Sequence, residues 1–333
     1  MSKLKNQMRE LITLFVMFIF IFPISQIYLS SAYAISIATG SKVGTYYQFG
    51  LDIARVAKDD GLDVIIKTSN GSIDNIKLME IALADLGIVQ SDVLGLLYKM
   101  KPKIADRLKY VFPLYKEEVH ILARKEINSI EDLNGKKIAT GSQSSGNWVT
   151  ISNLLYWSIV PNVKKITNLN PVDALNALLA GEIDAMVYVA GKPVALFKRL
   201  EKIMQNPHYK KMLKEVHFIP LSIKETLKEK CNYYVASEIG PSDYAWVDRV
   251  TPTIAVSALL VNITTQKERY EKQLIKLAES VRKSLDNLKQ NGHNKWKQVD
   301  LDAPIGEPWK LESCVLHQIS TEALKQDLKE LFK

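Results

Sequence analysis

The amino-acid sequence predicts an α/β fold of two lobes joined by a hinge. Short β-branched segments alternate with amphipathic helical segments, a pattern typical of parallel sheets that are covered by helices. The alternation starts at residue 35, breaks near residue 119 and then begins again. The chain has 333 residues, more than one ordinary core holds. We therefore expect two α/β units.

The N-terminal segment, residues 1–34, differs from the rest of the chain. It begins with a basic stretch, continues through the uncharged apolar run 11–22, and ends with Ala32 and Ala34 in an A-x-A arrangement. This order is typical of a cleaved secretory signal peptide. An uncleaved anchor is the alternative, but the run is shorter than the ~20 residues that a membrane span needs. We expect a mature, periplasmic protein that begins at Ile35.

The first unit is predicted from three strand–helix pairs. The strands are Ile35–Ala38, Val64–Ile66 and Leu86–Val89, and the helices that follow them are 46–57, 72–82 and 91–99. The second unit is predicted from a strand at 119–123, a short helix ending at Gly135, a strand at 137–140, helices at 148–157 and 171–180, and a strand at 183–189.

The C-terminal part supplies a long strand at 253–261 and the longest helix at about 265–290, with a last helix at about 320–332. The longest helix places its leucines on one face, so we expect it to pack back on the first unit. The chain then crosses between units near residues 119 and 256. This arrangement predicts one lobe of residues 35–118 plus 257–333, a second lobe of residues 119–256, and a two-strand hinge.

Composition and charge exclude several classes of function. The net charge is +8, but the basic residues are scattered and match no nucleic-acid-binding module, so we expect no nucleic-acid partner. Cys231 and Cys314 are equally compatible with a disulfide and with two separate thiols. The five histidines show no ligand spacing with the cysteines, so we expect no metal site and no cofactor.

The chemistry-bearing loops share one location, at the carboxyl end of a predicted strand and before a helix. In open α/β sheets, ligands bind at this edge. The loops are rich in glycine and hydroxyl groups, and helix N-termini favour anions. Each loop also has a plain structural alternative as a turn or a helix cap. They are Gly40–Tyr47, Thr68–Ser72 with Asn75, Gln90–Asp92, Gly141–Asn147 and Tyr188–Pro193.

An enzymatic function has little support in the sequence. The Gly-x-Ser-x-Gly nucleophile motif is absent. His120 lies in an apolar strand, where a hydrogen-bonded core or hinge histidine is the more ordinary role. Asp184 fits a structural role, and no pair of carboxylates stands out. We therefore expect a binding protein rather than an enzyme.

Taken in order, several segments resemble the TAXI group of periplasmic solute-binding proteins, which serve tripartite ATP-independent periplasmic (TRAP) transporters. The matching segments are GSKVGTYYQFG (40–50), SNGSIDNIKLM (69–79), ADLGIVQSDV (84–93), LNGKKIATGSQSSGN (133–147), GEIDAMVYVAGKP (181–193) and PSDYAWVDRVTPTIAVSALLV (241–261). The resemblance implies a type 2 periplasmic-binding-protein fold, a small carboxylate such as glutamate in the cleft, and TRAP permease subunits as partners. We expect a monomer.

Site residues carried over by position follow from this resemblance. They are Gly40, Ser41, Gly44, Tyr46, Ser72, Asn75, Gln90, Asp92, Ser144, Ser145, Gly146 and Gly191. Lys42, Asn147 and Tyr188 stand in the same loops and complete the candidate set. Lys42 and Val43 replace a small residue and a glycine of the TAXI pattern, and Asn147 replaces a threonine. Lys42 or Lys192 is a candidate partner for a ligand carboxylate.

The alternative function is an extracytoplasmic sensor or protein-interaction module on the same fold.

Overall fold

The computed structural model describes residues 34–42, 44–156, 158–166, 169–203, 206–222, 233–263, 268–305 and 309–312. The predicted signal peptide before residue 34, the predicted final helix at 320–332 and both cysteines lie outside these residues. Within the described ranges, every helix is too short or too polar to span a lipid bilayer.

The described strands form one sheet in the order β2-β1-β3-β10-β4-β7-β5-β6, with β8 paired to β4 and β9 paired to β10. The strands are β1 (Ile35–Ala38), β2 (Val64–Lys67), β3 (Leu86–Gln90), β4 (Leu108–Arg124), β5 (Lys137–Ala139), β6 (Lys164–Ile166), β7 (Ala185–Ala190), β8 (Val216–Phe218), β9 (Val235–Ile239) and β10 (Thr251–Ile263).

Helices cover this sheet. They are α1 (Thr45–Asp59), α2 (Ser72–Glu80), α3 (Val93–Met100), α4 (Pro102–Ala105), α5 (Gly146–Tyr156), α6 (Pro171–Ala180), α7 (Ala195–Ile203), α8 (Pro207–Leu213), α9 (Glu268–Lys283) and α10 (Leu285–Asn291), with 3-10 turns at Glu131–Leu133 and Asn294–Gln298.

Two groups of parallel strands lie on either side of a central antiparallel pair. Strands β2, β1 and β3 are parallel to one another, and so are β7, β5 and β6. Strands β4 and β10 between them run antiparallel to each other and to β7 and β3. The parallel α/β units predicted from the sequence are therefore present, and a pair of long return strands joins them.

Strands β4 and β10 run from one unit into the other. Leu260 of β10 pairs with Phe112 beside the first unit, and Ala255 pairs with Glu118 beside the second. The prediction that the β4 strand begins at residue 119 is wrong, because it begins at Leu108. Pro113 and the charged residues just before position 119 interrupt the apolar pattern. A register shift opposite Pro113 accommodates its missing N–H group.

Each unit, here called the first and the second lobe, has its own apolar core. In the first lobe, α1, α9 and α10 pack on the sheet, and the rings of Phe49 and Trp296 stack at 4.4 Å between centroids. In the second lobe, Ile121, Ile138 and Val187 are fully or almost fully buried between the sheet and α5. Clusters of this kind define separate cores, which supports the two-lobed description.

The longest predicted helix is broken in the structure. The predicted span of about 265–290 contains α9 and α10, because Ser284 departs from helical geometry at φ −97° and ψ 9°. A serine competes for backbone hydrogen bonds and is a poor residue for a helix interior. The predicted apolar face nevertheless packs on the first lobe, where Leu274, Leu277 and Leu288 are fully buried.

Candidate functional site

A cavity of about 450 Å³ lies where the two lobes face each other beside β4. Small-molecule sites typically measure roughly 300–1,000 Å³. Both lobes contribute to its wall. The lining residues are Gly40, Ser41, Gly44, Thr45, Tyr46, Ser69, Asn70, Gly71, Ser72, Gln90, Tyr115, Glu117, Gly141, Ser142, Ser145, Gly146, Asn147, Leu169, Asn170, Pro171, Tyr188, Val189 and Ala190.

The first part of the wall precedes helix α1. Gly40, Ser41, Gly44 and Tyr46 all line the cavity. Gly44 stands at the cap position of α1, and no side chain caps this helix end. The first-turn N–H groups of a helix lack intrahelical partners, and the helix dipole favours negative charge there. The N-terminus of α1 therefore offers donors to an anion in the cavity.

The second part of the wall precedes helix α2. Gly71 has a φ of +113°, which favours glycine, and it caps α2 without a side chain. A Cβ atom at Gly71 would lie 3.6 Å from Cα of Ser145, so the two lobes come close together here. The hydroxyl of Ser72 accepts a hydrogen bond of 3.1 Å from the backbone N–H of Gln90. This bond ties the start of α2 to the end of β3.

The third part of the wall is the serine-rich loop before α5. Ser145 caps this helix, because its Oγ accepts a hydrogen bond from the N–H of Trp148 at 3.3 Å. A Cβ atom at Gly146 would lie only 1.3 Å from Oε1 of Gln90, so any side chain at this position requires the Gln90 amide to move. Asn147 Oδ1 accepts a hydrogen bond of 2.9 Å from the N–H of Val189, which fastens α5 to β7.

The fourth part of the wall is the N-terminus of α6, with the end of β7 beside it. Asn170 caps α6 by accepting hydrogen bonds of 3.0 Å from the N–H groups of Val172 and Asp173. Pro171 follows at the first helical position, where its missing N–H costs nothing. Tyr188 lines the cavity from β7. Burial and the neighbouring Glu117 charge raise the pKa of Tyr188 to about 12.

One acidic side chain, Glu117 of β4, also lines the cavity. It is 3% exposed, and its Oε2 accepts a hydrogen bond of 2.8 Å from the hydroxyl of Tyr46. Burial raises the pKa of Glu117 to about 8, and the charges of Asp92 and Glu118 add to the rise. The Tyr46 hydrogen bond and the charge of Lys295 oppose it. The cavity therefore contains a carboxyl group that has no cationic side chain beside it among the described lining residues.

Asp92 lies outside the lining and joins the lobes instead. Its Oδ2 accepts hydrogen bonds from the hydroxyls of Thr150, at 2.7 Å, and Tyr234, at 2.8 Å. Thr150 Oγ1 in turn accepts a hydrogen bond of 3.1 Å from Nε2 of Gln90. Asp92 is fully buried, and this burial raises its pKa to about 6.

Four other predicted site residues also lie outside the lining. Lys42 is exposed, and its carbonyl accepts a hydrogen bond from Gln48. Asn75 is fully buried and donates to the carbonyls of Thr39 and Ile88 at 2.5 and 2.7 Å. The carbonyl of Ser144 accepts a hydrogen bond from the N–H of Asp74 across the lobes at 3.1 Å.

Gly191 is the fourth of these residues. A Cβ atom there would lie 2.8 Å from the Tyr115 ring and 2.9 Å from Cε of Lys295, so this glycine permits close packing behind the cavity. Lys192, the other cation that the sequence offered for a ligand carboxylate, pairs with Asp243 at 3.0 Å and donates to the carbonyl of Glu238 at 2.7 Å.

Sequence reasoning missed the side of the cavity formed by Tyr115 and Glu117 and the side formed by residues 169–171. The first lies in the part of β4 that was not predicted as strand. The second follows β6, a strand of three residues that the apolar pattern does not show. A usable signal was the acidic pair Glu117-Glu118 within an otherwise apolar segment, since charges in a buried strand need a reason.

His120 and Asp184 make structural hydrogen bonds outside the cavity lining. His120 is fully buried, and its Nε2 lies 2.9 Å from the hydroxyl of Tyr244, in agreement with a hydrogen-bonded core histidine. Burial lowers the pKa of His120 to about 4. Asp184 accepts a hydrogen bond of 2.8 Å from the N–H of Lys137. The described part of the chain contains no cluster of three His, Cys, Asp or Glu side chains suited to a metal ion.

Comparison with known families and structures agrees with this architecture. The sequence model of the NMT1-like family matches residues 37–311. A substrate-binding protein of an ABC uptake transporter from Streptococcus pneumoniae, solved with bound histidine, is similar to the chain. The TM-score is 0.51 at 14% identity, over 83% of this chain and 96% of that one.

A protein from Bordetella bronchiseptica RB50 is similar with a TM-score of 0.50 at 16% identity, over 86% of this chain and 89% of that one. Identities this low show the fold alone. The fold is the two-lobed α/β type of periplasmic binding proteins.

Proposed function

The chain belongs to the NMT1-like family, and from this membership and the cavity between its lobes we propose that it is an extracytoplasmic solute-binding receptor. It captures a small carboxylate, such as glutamate or a related anion, and delivers it to a membrane transporter. One observation carries this proposal: a cavity of about 450 Å³ whose wall contains the N-termini of four helices.

The helix N-termini account for the preference for a carboxylate. Helices α1 and α2 begin at Gly44 and Gly71, which have no capping side chain, and both ends line the cavity. Helices α5 and α6 present their first turns from the opposite lobe. A carboxylate placed between them would accept backbone N–H hydrogen bonds from both lobes. Capture of this kind requires no bond to be made or broken, so we assign no catalytic residue.

Closure of the lobes would couple binding to delivery. We place the first lobe at residues 35–118 plus 257–333 and the second at 119–256. The hinge then falls where Glu118 pairs with Ala255 and Glu117 pairs with Val256. A ligand that contacts both lobes stabilises the closed form, and a membrane partner can recognise that form.

The resemblance to TAXI proteins supports a TRAP permease as the partner, whereas the similar protein from S. pneumoniae belongs to an ABC transporter. The two assignments differ in their energy source. Solute uptake by cells that express the receptor and its permease should persist when ATP is depleted and an ion gradient is maintained. Loss of uptake on ATP depletion alone would favour an ABC partner.

The binding function is tested on the mature protein. Native mass spectrometry of protein purified from the periplasm should show a co-purified small molecule, and calorimetry should give a saturable heat with amino acids or dicarboxylates. Small-angle scattering should give a smaller radius of gyration at saturation than without ligand. Failure to find any bound solute, together with an unchanged radius across a broad panel, would contradict the proposal.

A further inference from the structure

The charge of the cavity wall is the reverse of what a purely anionic ligand requires. Among the described lining residues there is no Lys, Arg or His, and Glu117 carries the single carboxyl group. Lys295, whose charge acts on Glu117, has partners elsewhere. Lys295 donates to both carboxylate oxygens of Glu118 at 3.0 and 3.1 Å and to Gln298 at 2.9 Å. A ligand with negative charge alone would therefore meet an acidic group and no cationic side chain.

Glu117 is poorly compensated within the protein. Among the described side chains, Tyr46 is the one that donates to its carboxylate, and a phenol is a neutral donor. Lys295, whose charge acts on Glu117, is already engaged by Glu118. A buried carboxylate is costly unless it is paired and hydrogen-bonded. Burial raises the pKa of Glu117 to about 8, so a proton neutralises the carboxyl group of the unliganded protein near neutral pH. A cation that reaches the carboxylate from the cavity side would replace that proton.

The surroundings of Glu117 suit an organic ammonium group better than a metal ion. Oxygen-binding metal ions need several oxygen ligands, and the described residues provide no cluster of acidic groups here. The aromatic residues Tyr46, Tyr115 and Tyr188 also line the cavity, and the charge of Glu117 acts on the hydroxyl groups of all three. Aromatic faces and a carboxylate are a common environment for a protonated amine.

We propose that Glu117 is the specificity-determining residue of the cavity and pairs with a protonated nitrogen on the solute. This inference rests on the proposed binding function and narrows it. The helix N-termini hold the carboxylate of the solute, and Glu117 with Tyr46 holds its ammonium group. The receptor accepts zwitterions and discriminates against carboxylates of the same carbon skeleton that lack the amine.

The test uses pairs of ligands that differ only in the group facing Glu117. L-Glutamate and 2-oxoglutarate form one pair, and L-leucine and 4-methyl-2-oxopentanoate form another. Calorimetry on the mature wild-type protein should show the amino acid of a pair binding about 10–100-fold more tightly than the oxo acid, the range for one hydrogen bond to a charged group. In Glu117→Gln, which keeps an acceptor for Tyr46, this preference should disappear.

Ser145→Ala is the matched control. It alters the loop that we assign to the carboxylate, so it should weaken both members of a pair by similar factors and leave their ratio unchanged. Binding of the oxo acid as tightly as the amino acid by the wild type would overturn the role of Glu117 while leaving the binding function intact. Absence of binding by every member, with no co-purified solute, would overturn both.

A second measurement needs no variant and covers the case in which Glu117→Gln fails to fold. Pairing with an ammonium group keeps Glu117 ionised, so binding should release a proton from the wild-type protein near neutral pH. Calorimetry in two buffers with different ionisation heats measures this release. Equal heats in both buffers, together with equally tight binding of the amino acid and its oxo acid, would contradict the pairing.

Discussion

The hydroxyl of Thr150 donates a hydrogen bond of 2.7 Å to Oδ2 of Asp92, and the two residues belong to different lobes. Thr150 lies on α5 in the second lobe, and Asp92 directly precedes α3 in the first. Tyr234 adds a second hydroxyl to the same oxygen at 2.8 Å. All these groups are buried and lie outside the cavity lining. Bonds of this kind exist only while the lobes are together.

We expect Thr150→Val to weaken solute binding without touching the solute. The variant removes a donor to a buried carboxylate in the closed form only, and one such bond contributes about 1.5–3 kcal/mol. Calorimetry should show a dissociation constant raised about 10–100-fold. Thr39→Val is the control, because Thr39 donates to the carbonyl of Lys67 within one lobe at 2.8 Å. Equal affinity losses in both variants would argue against a bond specific to closure.

We expect Gly146→Ala to prevent the lobes from reaching the arrangement seen here. The new methyl group would lie 1.3 Å from Oε1 of Gln90, far inside van der Waals contact. The affinity for the solute should fall by more than about 10-fold, since a loss of about 1.4 kcal/mol of binding free energy has that effect. Scattering at saturating ligand should give a larger radius than for the wild type.

The double variant Gly146→Ala/Gln90→Ala removes the obstructing amide and should recover part of the affinity. Gly95→Ala is a matched control inside a helix, where the methyl would make an ordinary contact of 3.4 Å with the Tyr233 ring. An affinity loss in Gly95→Ala equal to that in Gly146→Ala would remove the steric explanation.

The stability of the unliganded protein should decrease with rising pH because of Glu117. Burial raises the pKa of Glu117 to about 8, so the folded chain retains a proton that the unfolded chain releases at about pH 4.3. This contribution is fully present below the unfolded pKa and is lost as the pH rises through about 8.

Scanning calorimetry of wild type and Glu117→Gln isolates this effect, because Asp92 and His120 titrate in both proteins. The wild-type Tm should fall relative to the variant between about pH 5 and pH 9, by about 2–4 °C for each kcal/mol lost. Saturating amino acid should reduce the difference. A Tm gap that stays constant over this range would show that Glu117 does not titrate there.

The exported protein should begin at Ile35. The apolar run and the A-x-A arrangement predict cleavage after Ala34. Ile35 is fully buried and starts β1, where it pairs with Val64, so the cleavage point coincides with the start of the first described strand. Intact mass measurement of the exported chain tests this, and a product that retains Met1 in the membrane fraction would be the contrary result.

Most of the architecture was predictable from periodicity, because buried parallel strands leave clear apolar runs. Helix α6 was predicted at its observed bounds, since Asn170 and Pro171 mark its start and Gly181, at φ +78°, marks its end. Strand β6 was not predicted, because the sequence Lys-Lys-Ile has no apolar alternation. The start of β4 was missed because the polar residues before position 119 interrupt its apolar pattern. They lie at the cavity and between the lobes rather than in an apolar core.

The candidate site was predictable in its loops but not in its charge. Glycines and hydroxyls at strand ends located most of the lining, since their position follows from topology. Which side chains turn inward depends on tertiary packing. Lys42 stays exposed at the surface, whereas Glu117, from a segment with no strand pattern, reaches the cavity. A single sequence does not show that Glu117 rather than Lys42 is the charged residue that faces the cavity.

The antiparallel pairing of β3 with β10 has a consequence for how the chain assembles. The first lobe combines residues that are far apart in the sequence, because β3 pairs with β1 on one edge and with Ala258–Asn262 of β10 on the other. The second lobe is almost contiguous between them. The chain is synthesised from its N-terminus, so β3 is made before β10. One edge of β3 therefore stays unpaired until the second lobe has been made. Contacts so distant in sequence form slowly, so this edge of β3 is open to incorrect pairing until β10 has been made.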